Sequence, residues 1–275
     1  MTIREWIHQT AAELKSAGIA SARLDAEIIL AHTLKKQRTY LHAHGEEILS
    51  RRTLDIADAR AALRGDRTPV AYIIGHKEFY GRLFKVTPAT LIPRPESEMI
   101  ITLLKELLPP GYSLLHEIPK RLVDIGTGSG CLGITAKLEF PEIDVALLDI
   151  SNHALNVAEK NAHLLKADVA LGRSNLLAEY AFTPDIILAN LPYVDPAWER
   201  SPETEFEPKE ALFAHDNGLH LIKNLIEEAS LRVASGCLVF LEADPRQHRE
   251  IINYAKNHGF LLRESRDFIV VLERL

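Results

Sequence analysis

One stretch constrains the fold of this chain more than any other. It is the run Arg121-Leu122-Val123-Asp124-Ile125, then Gly126-Thr127-Gly128-Ser129-Gly130, then a helical pattern from Leu132. A short apolar run closed by glycines and followed by a helix reads as a buried strand entering a tight turn. With no Cβ in the way, the backbone of that turn can approach a ligand closely. The alternation then recurs. Residues 145–149 read as strand, 154–165 as helix, 169–171 as a short strand and 186–189 as strand again. Beyond Gly218 a helix carries Leu219, Ile222, Ile226, Ala229 and Val233 on one face. Residues 238–241 read as strand and 246–257 as helix, with 260–262 and 268–272 a closing strand pair. Strand then helix, repeated, predicts an α/β fold with a doubly wound sheet and helices on both faces.

The texture ahead of this alternation differs. Residues 1–68 read as a small helical bundle. Ile3, Ile7, Ala11 and Leu14 recur at helical spacing, Leu24, Ile28, Ala31 and Leu34 follow a cap at Ser21, and Thr53 opens an Ala- and Arg-rich helix. Such a leader either recognises a partner or only stabilises the domain behind it. Residues 69–96 turn aromatic and β-branched, with runs at 72–75 and 79–86, and Gly81, with such residues on both sides, predicts a β-hairpin linker. The linker ends in Leu91-Ile92-Pro93-Arg94-Pro95-Glu96-Ser97-Glu98. Prolines on both sides of Arg94 extend the path, and Ser97 can cap an apolar helix over 99–108, before a Pro-Gly turn at 109–111. Residues 97–275 form the main, ligand-binding domain.

A composition of 47% hydrophobic and 25% charged residues is that of a soluble globular protein. No apolar stretch is long enough to span a bilayer, and the amino terminus, with Arg4, Glu5 and Trp6, lacks a secretory pattern, so the expected address is the cytoplasm. Cys131 and Cys237 lie far apart in apolar surroundings and read as free buried thiols, with neither a disulfide nor a zinc site expected. The histidines form no His-x-x-x-His pair beside a carboxylate, so no metal is expected. The net charge of −6 is uneven: residues 1–96 are net basic and 97–275 net acidic. Nucleic-acid sites leave a basic footprint, so this distribution argues against DNA or RNA and for a neutral or basic protein partner.

Two features describe the chemistry at the strand ends. Asp149 closes the second strand, where a carboxylate can accept hydrogen bonds from both ribose hydroxyls. Gly128-x-Gly130-x-x-Gly133 also matches a pyrophosphate fingerprint, but the fourth strand ends in Asn190-Leu191-Pro192-Tyr193, for which hydride transfer has no use. A nucleoside without the pyrophosphate fits better. In the tetrapeptide, the Asn190 side-chain oxygen and the Leu191 carbonyl, held by Pro192, make two fixed acceptors, and Tyr193 adds a flat wall. That arrangement suits a planar NH2 group; an ordinary strand-to-loop turn is the plainer alternative.

In this order and spacing, Asp124-Ile125-Gly126-Thr127-Gly128-Ser129-Gly130, Asp149 and the tetrapeptide resemble a class I S-adenosylmethionine-dependent methyltransferase of the amino-methylating kind. The helical leader, Pro69-Val70-Ala71-Tyr72-Ile73-Ile74-Gly75, Glu78-Phe79-Tyr80-Gly81 and residues 91–98 narrow the resemblance to the HemK/PrmC family. That family methylates the side-chain amide nitrogen of the glutamine in the Gly-Gly-Gln motif of peptide chain release factors. Glu207-Pro208, Ala211-Leu212, Gly218-Leu219 and Glu242 continue the likeness.

The resemblance implies a Rossmann-like methyltransferase sheet behind a helical substrate-recognition domain. It implies S-adenosylmethionine held by Gly126, Thr127, Gly128, Ser129, Gly130, Asp149, Asn175, Leu176 and Asn190. Catalysis and substrate binding fall to Asn190, Leu191, Pro192 and Tyr193, with Arg94 a further substrate contact. The expected partner is a release factor, met by a monomer without direct nucleic-acid binding. Three departures stand out. The family tetrapeptide is usually Asn-Pro-Pro-Tyr, and Leu191 instead matches adenine N6-methyltransferases of ribosomal RNA. Ser174-Asn175-Leu176 replaces an Asp followed by an aromatic, and Arg266-Asp267-Phe268 lacks a glycine turn. Adenine N6 methylation of RNA or DNA, glutamine methylation of a ribosomal protein and a non-catalytic nucleoside-binding module therefore stay open. The acidic stretch Asp195, Glu199, Glu203, Glu205, Glu207 and Glu210 reads as a solvated loop able to steer a basic substrate.

Overall fold

The structure, a computed structural model, describes residues 1–108 and 120–275; the turn expected at 109–111 lies outside them. The chain divides into two compact units, Met1–His76 with Arg200–Phe206, and Lys77–Glu199 with Glu207–Leu275.

The first unit contains α1 (Ile3–Ser16), α2 (Ala22–Leu34), α3 (Arg38–Ala43), α4 (Arg51–Gly65) and α5 (Val70–Ile74). A capping box starts α1: the Thr2 hydroxyl accepts the Glu5 N–H while the Glu5 carboxylate accepts the Thr2 N–H. Ile3, Trp6, Ile7 and Leu14 then bury against Ala26, Ile29 and Leu30 of α2 and Ala57 and Ala61 of α4. The buried face of α2 is rotated from the expected stripe, and Leu24 is 42% exposed. The cause is charge. Asp25 is buried and accepts the Arg64 Nε–H at 2.7 Å, and Ser21 donates its hydroxyl to Asp25 instead of capping the helix. The apolar residues of α2 are spread around the helix, so spacing alone leaves its inward face open, and the buried Asp25–Arg64 pair lies on the face that turns inward. Arg64 and Arg67 also bind Glu203, which brings Arg200–Phe206 into this unit. Helix α4 starts at Arg51, capped by Ser50, two residues before the expected Thr53. Residues 70–74 are helical instead of extended, and Gly75 ends them at φ 75°.

From His76, the last residue of the segment Met1–His76, onward, β1 (His76–Phe79) and β2 (Arg82–Lys85) make the expected hairpin. Tyr80 and Gly81 take positive φ at its tip, the twist that closes a two-residue turn. After α6 (Glu98–Leu107) come β3 (Arg121–Ile125), α7 (Cys131–Glu139), β4 (Asp144–Asp149), α8 (Asn152–Leu165), β5 (Ala170–Arg173) and β6 (Ile186–Ala189). Then follow α9 (His220–Arg232), β7 (Leu238–Glu242), α10 (His248–Asn257), β8 (Phe260–Arg266) and β9 (Ile269–Arg274). Among the described residues, seven strands form one sheet in the order β5-β4-β3-β6-β7-β9-β8, parallel except at β9. Asp267, at φ 51°, supplies the left-handed turn residue between β8 and β9 that a glycine was expected to provide, a conformation Asp tolerates.

Alternate strand residues face opposite layers. Val123, Ile125, Ile187 and Val239 meet Ile222 and Ile226 of α9, while Leu122, Leu147, Leu188 and Phe240 meet Ile100 and Leu104 of α6. Asn161 of α8, fully buried, accepts the Lys85 N–H and donates to the carbonyls of Lys85 and Ser129, tying the hairpin to the glycine turn. The chain winds outward from β3 to β5 and then crosses back to β6. The crevice of an open α/β sheet forms at such a reversal, at the strands' carboxyl ends.

Candidate active site

The strands that reach this crevice end in step. Ile125 pairs with Leu148 on one side and Ala189 on the other, and Ala189 pairs with Leu241. The next residues along, Gly126, Asp149, Asn190 and Glu242, are therefore brought side by side. A cavity of about 320 Å³ opens over the first three.

The glycine turn forms one wall. Asp124, almost fully buried, accepts the Thr127 hydroxyl at 2.6 Å and the Gly133 N–H at 2.9 Å, and so clamps both ends of the turn. Burial pushes its carboxyl up to about 6. Gly126 has φ 68°, and a Cβ there would stand 3.1 Å from Leu191 Cδ2, so both backbone sign and space call for glycine. Asp149 accepts the Gly128 N–H at 2.9 Å through one oxygen and the Ser151 N–H at 2.8 Å through the other. Desolvation raises its pKa from the ordinary carboxylate value. Each oxygen retains a further lone pair for a ligand hydroxyl. The buried Ser129 hydroxyl lines the cavity and makes no hydrogen bond to the described residues.

Asn175, exposed, and Leu176, buried at φ 51°, line the opposite rim, where Leu176 supplies an apolar wall. Thr127 and Gly128 also line the cavity, whereas Gly130 does not; a Cβ on Gly130 would strike Ile134 and Ala158 beneath the turn. Cys131 lines it too, as a thiol that burial pushes up to about 12.

Asn190, Leu191 and Pro192 face the cavity from the end of β6, and Tyr193 does not line it. The Asn190 NH2 donates to the Ser97 hydroxyl at 2.9 Å. Among the described residues, nothing donates to Asn190 Oδ1 or to the Leu191 carbonyl. The Leu191 side chain is buried and packs toward Gly126. The Tyr193 carbonyl is held by Gln247 at 2.9 Å, while its hydroxyl donates to Glu242 at 3.2 Å.

Arg94 lines the cavity and its guanidinium meets Glu207 at 2.5 Å. Glu207, only 4% exposed, also accepts the Ile92 N–H at 3.1 Å. This corrects the expected solvated acidic loop. Glu207 is a buried anchor for the Pro-Arg-Pro segment and Glu203 is paired, while Glu199, Glu205 and Glu210 are exposed. Ser97 and Glu242 are the residues whose placement sequence reasoning did not foresee. Ser97 makes no cap bond, because its hydroxyl donates to Glu242 at 2.5 Å, a partner 145 positions away. The available signal was Glu242 itself, an acid closing an apolar strand as Asp149 does.

Among the described residues, no cluster of three or more His, Cys, Asp or Glu side chains could hold a metal ion, and no helix is long and apolar enough to cross a membrane. What the cavity offers is a glycine-lined wall, a strand-end carboxylate with spare lone pairs, an unpaired hydroxyl and two unfilled acceptors.

Comparison with known proteins locates this arrangement. Residues 5–75 match the PrmC N-terminal domain and residues 104–204 the methyltransferase small domain. The chain is similar to the release factor glutamine methyltransferase of Deinococcus radiodurans, 34% identical over 254 residues, covering 90% of this chain and 87% of that one. Among solved structures, a methyltransferase from Pyrococcus furiosus is 18% identical, with a TM-score of 0.53 over 78% of this chain and 95% of its own. The T. Thermophilus 16S rRNA N2 methyltransferase in complex with AdoMet and guanosine is 15% identical, with a TM-score of 0.53 over 73% of this chain and 50% of its own. At such identities these two share the sheet and its helices, and they speak to the fold alone. The release factor glutamine methyltransferase of Koribacter versatilis is 36% identical over 257 residues, 89% of each chain. Kinship at that level runs through both units, and the chain belongs to the release factor glutamine methyltransferase family.

Proposed function

We propose that this chain transfers a methyl group from S-adenosylmethionine to the side-chain amide nitrogen of the glutamine in the Gly-Gly-Gln motif of a peptide chain release factor. The observation that carries the reading is the pair of unfilled acceptors, Asn190 Oδ1 and the Leu191 carbonyl, beside a cavity built for a nucleoside. The residues present fit that donor. Gly126 and Gly128 leave the backbone bare, Asp149 keeps lone pairs for a ribose diol, and the unpaired Ser129 hydroxyl gives a polar contact. When bound, S-adenosylmethionine supplies a methyl carbon on a positively charged sulfur, which is already a good leaving group.

The protein's task is to aim a poor nucleophile, since an amide nitrogen shares its lone pair with the carbonyl. Asn190 Oδ1 and the Leu191 carbonyl each accept one N–H of the glutamine amide, which orients the nitrogen. Pro192 stiffens the carbonyl next to it. Orientation of this kind contributes roughly 7–11 kcal/mol in favourable cases, so no strong base is needed before attack. The nitrogen sheds its proton after it has taken the methyl group. The helical unit serves as the recognition module, and the enzyme works as a cytoplasmic monomer on protein instead of nucleic acid, in keeping with the acidic balance of residues 97–275.

The test offers labelled donor to a release factor, ribosomal RNA and a ribosomal protein. Label is expected on the release factor glutamine, with Asn190→Ala lowering kcat by about 100-fold or more while donor affinity stays within a few-fold. Label on RNA adenine instead, or a variant as fast as wild type, overturns the reading.

A further inference from the structure

Glu242 is 1% exposed and has no task in the methyl transfer described above. Its carboxylate accepts the Ser97 hydroxyl at 2.5 Å and the Tyr193 hydroxyl at 3.2 Å. Ser97, 2% exposed, in turn meets the Asn190 amide at 2.9 Å. An ionised carboxylate has no proton to give. The Ser97 O–H must therefore donate to Glu242, and only a lone pair of Ser97 Oγ is left to face Asn190. That fixes which way the amide lies: NH2 toward Ser97, Oδ1 toward the other side. We propose that Glu242, acting through Ser97, is a positioning residue that sets the flip of the Asn190 amide and so presents an acceptor to the substrate nitrogen. The inference rests on the role given to Asn190 above.

The chain of bonds reverses when Glu242 takes a proton. A protonated Glu242 donates to Ser97 Oγ, the Ser97 hydroxyl then donates to Asn190 Oδ1, and the amide turns over. The turn is sterically easy, because the amide N and O are nearly the same size. It leaves an NH2 group facing the substrate's NH2, two donors with no acceptor between them. Activity therefore follows the ionised form of Glu242. Burial raises this carboxyl from its ordinary value, against the hydrogen bonds from Ser97 and Tyr193, and the charge of Glu96 raises it further. The titratable groups around it are Tyr193, which burial holds in its neutral donor form, Glu96, and the Cys131 thiol of α7, neutral because its own pKa is pushed up to about 12. The sign follows: kcat falls as pH drops through the raised Glu242 value, which lies above the usual carboxylate range.

The experiment measures kcat against pH for the full chain, with donor and release factor saturating, in wild type, Ser97→Ala, Glu242→Gln and Asn190→Ala. Donor affinity is measured by calorimetry and folding by thermal melting. Asp124 and Asp149 hold the glycine turn and act on donor binding, so saturation keeps them out of kcat. Ser97→Ala is expected to lower kcat about 10- to 100-fold with donor affinity within about 2-fold. Glu242→Gln is expected to lose the acid limb, giving a reduced and pH-independent rate. Wild-type kcat in Ser97→Ala while Asn190→Ala is crippled overturns the relay and leaves the Asn190 assignment standing. Wild-type kcat in both variants overturns the assignment itself. Should Ser97→Ala fail to fold, Glu242→Gln decides: an unchanged acid limb overturns the relay, and its loss supports it.

Discussion

Replacing Glu207 by Ala should loosen the segment that closes one side of the cavity. The side chain is 2% exposed and carries two bonds, an ion pair with Arg94 at 2.5 Å and the Ile92 N–H at 3.1 Å. Ile92 is itself buried, so its N–H would be left without a partner, at about 1–3 kcal/mol. Removing one member of a fully buried ion pair costs about 3–5 kcal/mol, but Arg94 is 34% exposed and can turn to water, which removes most of that cost. The two together give a loss of about 2–4 kcal/mol, read as a lower urea midpoint. Because Leu91 and Ile92 line the cavity proposed for the donor, the donor should also bind more weakly. A double-mutant cycle with Arg94→Ala separates the terms and should return a coupling of about 1–2 kcal/mol. The reasoning fails if Glu207→Ala stays within about 0.5 kcal/mol of wild type and is additive with Arg94→Ala within about 0.3 kcal/mol.

Other outcomes follow from the same geometry. Asp149→Ala should weaken the donor about 10- to 100-fold by calorimetry, with two turn N–H groups losing their acceptor. In wild type, donor affinity should fall as pH drops through the raised Asp149 value, since the charged form is the one that accepts the diol, and this dependence should vanish in Asp149→Ala. Gly218→Ala should cost more than about 2 kcal/mol in urea denaturation, because φ is 83° and the new Cβ would run into the Tyr193 carbonyl. Asn161→Ala should cost about 2–4 kcal/mol and speed hydrogen exchange at the Lys85 amide, which loses its acceptor.

How much could be read from the letters depended on how local the cause was. Strands 121–125 and 186–189 are found at their expected bounds, because an apolar run covered on both faces and stopped by glycine or proline has few alternatives. The hairpin was legible from Gly81 for the same reason. Helix α2 was not, since six apolar residues among Leu24–Ala31 leave its inward face to a buried ion pair with Arg64, 39 positions on. Residues 70–74 carry β-branched and aromatic side chains yet form a helical turn, where the proline before and the left-handed glycine after outweigh propensity. Ser97 looks like a cap and Glu207 like a surface acid until their partners, 145 and 113 positions distant, are known.

The acids around the cavity act on donors instead of on protons in transit. Asp124 clamps the glycine turn, Asp149 anchors its middle, and Glu242 gathers two hydroxyls behind Asn190. Asp149 and Glu242 end their parallel strands level with Gly126 and Asn190, and Asp124 lies two residues further back in β3. On the proposed reading, a site organised this way fixes orientation first, as an amide nucleophile requires. It also accounts for Leu191 in a place where the family more often has proline. The acceptor proposed at that position is a backbone carbonyl, present with either residue, and the buried Leu191 side chain lies against Gly126. The substitution therefore changes what lies beneath the glycine turn and leaves the two acceptors where an NH2 group can meet them.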